Sequence, residues 1–241
     1  MLKVNSALIL YFTAFILYVF AVLIGSDNLE LFSKPIIIPS IYYFYYISVR
    51  GKIDYLFSFS VLSFFIGEIL HLISREEFNV LGLIFLLIPY FIILFFIFQD
   101  LIYYLKKKKI NLKTFSFFII VMLLVYLFFN VLMMMIEENS LEFFIYCLYA
   151  ILLLLMGILA FVMLINYNNR TILYTGFMVG CFLLSDLFFV FSKKIPDLLA
   201  LKMINVTTQE LSFFCYINYF VYRTKFKLYG KRDIQGRQKY R

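Results

Sequence analysis

Two acidic residues lie inside strongly apolar stretches of the sequence. Asp186 lies in CFLLSDLFFVF (181–191) and Glu68 lies in FFIGEILHLIS (64–74). A charge at the centre of a membrane helix costs at least about 2.5–3.5 kcal/mol, and such residues usually face a bundle interior or a wet cavity. Ionising two neighbouring carboxyl groups inside a membrane costs additional free energy, so one is expected to stay protonated. Together the two groups could supply an acid and a base for proton transfer.

FFIGEILHLIS (64–74) aligns without a gap with FLLSDLFFVFS (182–192), so that Glu68 falls on Asp186 and Phe64 on Phe182. Counted from the inner end of its span at 1.5 Å per residue, each acid lies about 22 Å along a path of about 30 Å. We therefore predict that both acids line one cavity in the outer half of the membrane. The alternative is that each acid only holds the bundle together, by bonding a neighbouring helix or by pairing with Lys or Arg.

The composition is that of an integral membrane protein. Of the 241 residues, 64% are hydrophobic, 22% are aromatic and only 15% are charged, which is far from the soluble globular range. We expect an all-α, polytopic membrane helical bundle that forms a single transmembrane domain over residues 1–222, followed by a basic tail over 223–241. The eight expected spans are about 5–25, 34–49, 53–73, 78–99, 114–136, 142–165, 171–192 and 198–222.

The positions of the basic residues predict the orientation of the spans. With both termini in the cytoplasm, most Lys and Arg lie inside, in the Lys106–Lys109 loop and the tail, and five lie outside: Lys34, Arg75, Lys193, Lys194 and Lys202. The third and seventh spans then run in the same direction, as in two four-helix halves related by a parallel repeat. The net charge of +8 comes without a base-reading motif, so no nucleic-acid partner is expected.

Further polar residues are expected near the two acids: His71, Lys34, Tyr149, Glu210 and Asn218. His71 is the only histidine, which excludes a bis-histidine haem and a zinc site with several imidazoles. The sequence also lacks the serine-hydrolase elbow, the zinc-protease helix motif and a Gly-rich phosphate loop. We therefore expect chemistry that depends on carboxyl groups, without a metal or another cofactor.

Five stretches together resemble the YhhN-like, or lysoplasmalogenase, family of eight-span membrane proteins. They are FSKPIIIP (32–39), IGEIL (66–70), LYAILLLLMGILA (148–160), GCFLLSDLFFVFSK (180–193) and CYINYFVYR (215–223). The resemblance implies that Asp186 and Glu68 are the catalytic acids, although Glu68 stands where the family shows an aspartate. It also implies substrate-binding positions in spans two, six and seven: Lys34, Tyr149, Met156 and Ser185. In the eighth span, Asn218 is the candidate for the position of the family's glutamine.

The activity implied by this resemblance is hydrolysis of the vinyl ether bond of lysoplasmalogen, which yields a fatty aldehyde and a glycerophospho-alcohol. One protonated carboxyl would deliver a proton to the alkene carbon, and one carboxylate would stabilise the resulting cation and activate water. The expected partners are membrane lipids and a lysophospholipid substrate, with Lys34 suited to the lipid phosphate. A bacterial inner (plasma) membrane is the expected location, and the sequence leaves the oligomeric state open.

Two other functions fit the same residues. In a transporter for a lipid or small solute, Glu68 and Asp186 would be intramembrane proton or cation sites. In a non-catalytic scaffold, the two acids would pair with partner helices. Flux across liposomes indicates the first alternative, and changed assembly without any turnover indicates the second.

Overall fold

The chain folds into eight α-helices. The structure, a computed structural model, describes residues 6–73, 79–106, 115–135, 140–196 and 198–238, and contains no strand within them. The all-α class predicted from the sequence is confirmed. The helices are α1 (Ser6–Ile24), α2 (Asp27–Ser48), α3 (Tyr55–Ile73), α4 (Asn79–Leu105), α5 (Phe115–Met134), α6 (Ser140–Asn166), α7 (Arg170–Lys194) and α8 (Leu199–Gln238).

Several of these helices are long and apolar enough to cross a membrane. Within the described residues there are five such segments: Ser6–Ile24, Tyr55–Ile73, Val80–Leu105, Leu141–Asn166 and Arg170–Lys194. In α5, Val121–Met134 is a shorter apolar segment. Large apolar side chains cover much of the outer surface, as a lipid environment requires. The protein is therefore a helical membrane protein.

The helices pack as antiparallel neighbours along the chain and are joined across the bundle by α8. The pairs α1 with α2, α3 with α4 and α7 with α8 are in contact, α6 contacts both α4 and α7, and α8 also packs on α1 and α2. Aromatic rings fill the place where α3, α7 and α8 meet. The rings of Phe64 and Phe182 stack at 5.7 Å, and those of Phe57 and Phe220 stack at 3.9 Å. This aromatic core fixes α3 and α7, which carry the two acids.

Helix α2 begins earlier than the sequence predicts. It begins at Asp27, after the extended residue Ser26, whereas the sequence places the start of the second span at about residue 34. Acidic side chains in the first turn, Asp27 and Glu30, interact favourably with the helix N-terminus and extend α2 beyond its apolar part. Lys34 therefore lies about two turns inside the helix instead of opening it, and both Pro35 and Pro39 are internal.

Helix α8 continues past the expected end of the last span. It runs to Gln238, so most of the predicted tail is helical, although side chains beyond Lys225 lie outside the described part of the chain. Arg223, assigned to that tail, is buried at 4% exposure. Its Nε donates to both oxygens of Asp100 on α4, at 2.9 and 3.1 Å. Arg223 thus belongs to the packed bundle and joins α8 to α4.

Helices α3 and α4 approach each other closely at two glycines. A Cβ atom added to Gly67 would lie 2.7 Å from the Cγ of Leu86 and 3.2 Å from the carbonyl oxygen of Gly82. A Cβ added to Gly82 would meet the ring of His71 at 3.3 Å. Small residues at such crossings let membrane helices pack backbone to backbone. This close contact fixes the part of α3 that carries Glu68.

Of the basic residues used to predict the orientation, several lie outside the described residues: Lys3, Arg75, Lys107 to Lys109, Lys113, Lys239 and Arg241. The last residue of the aligned third-span stretch, Ser74, also lies outside them.

Candidate functional site

A cavity of about 500 Å³ lies inside the bundle, and residues of all eight helices line it. We call it the central cavity. Glu68 and Asp186 both line it, and so do four of the other predicted site residues: Lys34, His71, Tyr149 and Ser185. The structure thus places six of the nine predicted residues around one space. Its remaining surface is mainly apolar, with the side chains of Phe128, Leu132 and Leu153 among the contributors.

The Glu68 carboxylate has a charged partner and a neutral one. Its Oε2 lies 2.7 Å from the ammonium nitrogen of Lys34, and its Oε1 accepts a hydrogen bond of 2.5 Å from the amide of Gln209. The Glu68 side chain is only 5% exposed and that of Lys34 is 14% exposed. The Lys34 ammonium also lies 5.4 Å from the ring centroid of Tyr18. The positive charge balances the buried negative one, so Glu68 is suited to act as a carboxylate.

The Asp186 carboxyl has a different environment. Its Oδ2 accepts a hydrogen bond of 2.8 Å from the hydroxyl of Tyr90. Within the described residues no basic group lies at salt-bridge distance from it. The Tyr90 ring packs edge-on against Phe64, Tyr149 and Phe182, with centroid distances of 5.2 to 5.9 Å. These rings keep water from this side of the acid, and a hydroxyl partner tolerates both the protonated and the ionised carboxyl.

The remaining predicted residues divide between the cavity and the core. Ser185 donates a hydrogen bond of 2.9 Å to the Oδ1 of Asn205, and the Tyr149 hydroxyl donates one of 3.0 Å to a backbone carbonyl of α4. Met156 is fully buried in the core and does not line the cavity. Asn218, also outside the lining, donates to the backbone carbonyl of Phe214 at 2.9 Å. Both are placed to stabilise helix packing.

Three cavity residues that bond predicted ones were not predicted from the sequence: Gln209, Tyr90 and Asn205. Gln209 lies in NVTTQEL, which is polar for a membrane span. In this helix, however, the sequence indicates Glu210 and Asn218 as the residues near the acids. A helix repeats every 3.6 residues, so Gln209 faces the same way as Lys202 and Asn205. Glu210 faces elsewhere and does not line the cavity, and its backbone carbonyl accepts a hydrogen bond from the Tyr11 hydroxyl.

The central cavity combines an ion-paired carboxylate, an acid bonded to a tyrosine and an apolar wall. Within the part of the chain that the structure describes, no group of three or more His, Cys, Asp or Glu side chains could hold a metal ion. No protein-family model, curated protein or solved structure matches the chain. Any functional assignment therefore depends on the chemistry of this cavity.

Proposed function

We propose that the protein is a YhhN-like membrane hydrolase that cleaves the vinyl ether bond of a lysoplasmalogen and releases a fatty aldehyde and a glycerophospho-alcohol. One observation carries the proposal: two carboxyl groups with different partners, Glu68 with Lys34 and Asp186 with Tyr90, line one apolar cavity. An acid and a base in different environments are what proton transfer to an alkene requires.

In this proposal Asp186 is the proton donor, because its neighbour is a hydroxyl and not a cation. Its carboxyl proton goes to the β carbon of the vinyl ether, and the cation that forms is shared between the α carbon and the ether oxygen. The Glu68 carboxylate, already ionised beside Lys34, stabilises that cation and accepts a proton from the attacking water. The hemiacetal then collapses: Glu68 gives its proton to the leaving glycerol oxygen, Asp186 takes the proton of the hemiacetal hydroxyl, and the carbon–oxygen bond breaks to give the aldehyde and the alcohol. Both acids are then back in their starting states.

The size and lining of the cavity suit a substrate with one apolar chain. A volume of about 500 Å³ falls within the usual range of small-molecule sites. Side chains of α5 and α6, including Phe128, Val131 and Leu153, line the cavity and would contact the hydrocarbon chain. A lipid with two full chains would need more apolar surface than this wall supplies.

The proposal includes a topology of eight spans with both termini in the cytoplasm, in a bacterial inner membrane, and two four-helix halves related by a parallel repeat. Stacking of Phe64 on Phe182 supports the repeat, because these residues are equivalent in the aligned stretches. The presence of Glu68 and Asp186, also equivalent, in one cavity gives the same support. In this proposal Gln209, whose amide donates a hydrogen bond to Glu68, corresponds to the glutamine of the YhhN-like family, in place of Asn218.

The test is release of free aldehyde from a lysoplasmalogen by the purified protein in detergent. We expect Asp186→Asn and Glu68→Gln each to lower the rate at least about 100-fold, because each removes a proton-transfer group. Asp27→Asn is the matched control, since Asp27 is exposed at the start of α2 and does not line the cavity. If Asp186→Asn and Glu68→Gln both release aldehyde at the wild-type rate, the assigned roles are refuted. If the wild-type protein releases none, the activity itself is refuted.

A transporter is the second candidate, and the intramembrane ion pair favours it. Buried acid–lysine pairs such as Glu68 with Lys34 are typical of proton and ion pathways through membranes. This function predicts pH-driven flux of a solute into liposomes that contain the protein, without aldehyde release. Glu68→Gln would abolish that flux.

A further inference from the structure

Two lysines line the central cavity at one end of the bundle. Lys193 lies in the last turn of α7 and Lys202 in the first turn of α8, on either side of the short connection between these helices. Their side chains are 33% and 39% exposed. We call Lys193 and Lys202 the rim lysines. They reach both the cavity and its surroundings.

Each rim lysine has an acidic neighbour. The Lys193 nitrogen lies 3.9 Å from Glu142 and 5.6 Å from the ring centroid of Tyr146, and the Lys202 nitrogen lies 3.4 Å from Glu30. By contrast, Lys34 lies 2.7 Å from Glu68 and is mostly buried. Charge-assisted hydrogen bonds are shorter, about 2.7–2.9 Å, so the contact between Lys202 and Glu30 leaves room for a stronger anionic ligand. Lys34, the residue expected to bind phosphate, is already held by the carboxylate that it neutralises.

A third hydrogen-bond donor lies beside the rim lysines. Asn205 is on the same face of α8 as Lys202 and also lines the cavity. Its Oδ1 accepts from Ser185, which leaves the amide N–H groups of Asn205 to donate to a ligand. Two ammonium groups and an amide are the kinds of donor that bind the oxygens of a phosphate.

The rim lysines lie at matching heights above the two acids. Lys193 follows Asp186 by seven residues on α7, and Lys202 precedes Gln209, the partner of Glu68, by seven residues on α8. Each interval corresponds to about 10 Å along a helix axis. In a glycerophospholipid with an extended glycerol, the oxygen at the first glycerol position lies about 6–7 Å from the phosphorus atom, at ordinary single-bond lengths. A flexible lysine side chain can cover the difference between this distance and the roughly 10 Å along the helix axis.

We infer that the rim lysines and Asn205 form a phosphate site for the head group of a single-chain phospholipid, which holds the bond at the first glycerol position near the two acids. The inference deepens the proposed function and rests on it for the choice of lipid. The apolar chain lies between α5 and α6, the acids act on the linkage, and the rim lysines hold the phosphate where the cavity meets the membrane boundary.

The test measures binding without turnover. A lysophospholipid with a saturated ether chain keeps the phosphate and the chain but has no vinyl ether to cleave, and an alkylglycerol with the same chain lacks the phosphate. Dissociation constants for both are measured by calorimetry in a non-ionic detergent, with the wild-type protein and with Lys193→Met/Lys202→Met. The control is Lys194→Met/Lys225→Met, which removes the same charge at residues that do not line the cavity. Thermal unfolding checks that each variant is folded.

We expect the wild-type protein to bind the lysophospholipid at least about tenfold more tightly than the alkylglycerol, and the rim variant to lose that difference while binding the alkylglycerol unchanged. Equal affinity of the wild-type protein for both amphiphiles would overturn the inference, and so would an equal loss in the control variant. Inorganic phosphate is added as a competitor, and displacement at concentrations similar to that of the lipid would reassign the site to free phosphate.

These results separate the inference from the proposed function. Phosphate-dependent binding that is lost in the rim variant supports the site even if no aldehyde is released from a vinyl ether substrate, and the hydrolase proposal alone then fails. If aldehyde is released but lipid binding does not depend on the phosphate, the hydrolase proposal stands and the phosphate site at the rim lysines is refuted.

Discussion

The buried ion pair between Lys34 and Glu68 leads to a quantitative prediction. In Lys34→Met the methionine fills most of the space of the lysine stem, but the carboxylate of Glu68 loses its positive partner at 2.7 Å. Removing one member of a buried pair typically costs about 3–5 kcal/mol because an uncompensated charge remains. The hydrogen bond from Gln209 stays in place, so the lower end, about 3 kcal/mol, is expected.

The double variant Lys34→Met/Glu68→Gln removes both charges and keeps the shape of the site. We expect its unfolding free energy to lie within about 1 kcal/mol of the wild-type value, since a neutral pair carries no desolvation penalty. Unfolding in detergent, followed by circular dichroism, should show that the double variant is about 2–3 kcal/mol more stable than Lys34→Met. If Lys34→Met is as stable as the double variant, the two side chains are not a buried pair in the folded protein, and the assignment of Glu68 as the charged carboxylate fails with it.

Two further predictions concern the packing of the bundle, and both are measured by thermal unfolding in detergent. Arg223→Met should destabilise the fold by about 3–5 kcal/mol, because it leaves a buried acid on α4 without its cation, whereas the exposed Lys225→Met should change stability by no more than about 0.5 kcal/mol. Gly67→Ala should cost about 1–3 kcal/mol, because the added methyl overlaps a leucine of α4. Gly180→Ala, where nothing lies within 4 Å, should be neutral or stabilising by up to about 1 kcal/mol. Equal effects at the two glycines, or at the two basic residues, would contradict these contacts.

The sequence predicts the helical class and the common location of the two acids because both depend on local rules. Long apolar runs predict helices in a membrane, and the alignment of Glu68 with Asp186 depends only on residue spacing. Phe64 and Phe182, which are paired in this alignment, stack on each other in the fold. Such patterns lie within single segments and can be read without knowing which helices are neighbours.

The partners of the acids could not be predicted in the same way. Tyr90 meets Asp186 because α4 lies beside α7, and Gln209 meets Glu68 because α8 lies beside α3. Nothing in the sequence around one tyrosine among 20 indicates such a role. The pair between Arg223 and Asp100 was missed for a related reason: a base beside a charged tail looks solvated until the neighbouring helix is known. Knowing the contacts between helices would have found all three.

The prolines inside α2 make this helix the easiest part of the cavity wall to bend. Pro35 and Pro39 have no backbone N–H, so the carbonyls of Leu31 and Pro35 lose their usual donors within the helix. Bending is cheapest at such points, and Lys34 lies directly beside the first of them. The ion pair between Lys34 and Glu68 ties this weak point of the wall to α3, so bending α2 there would pull the cation away from the carboxylate that it neutralises.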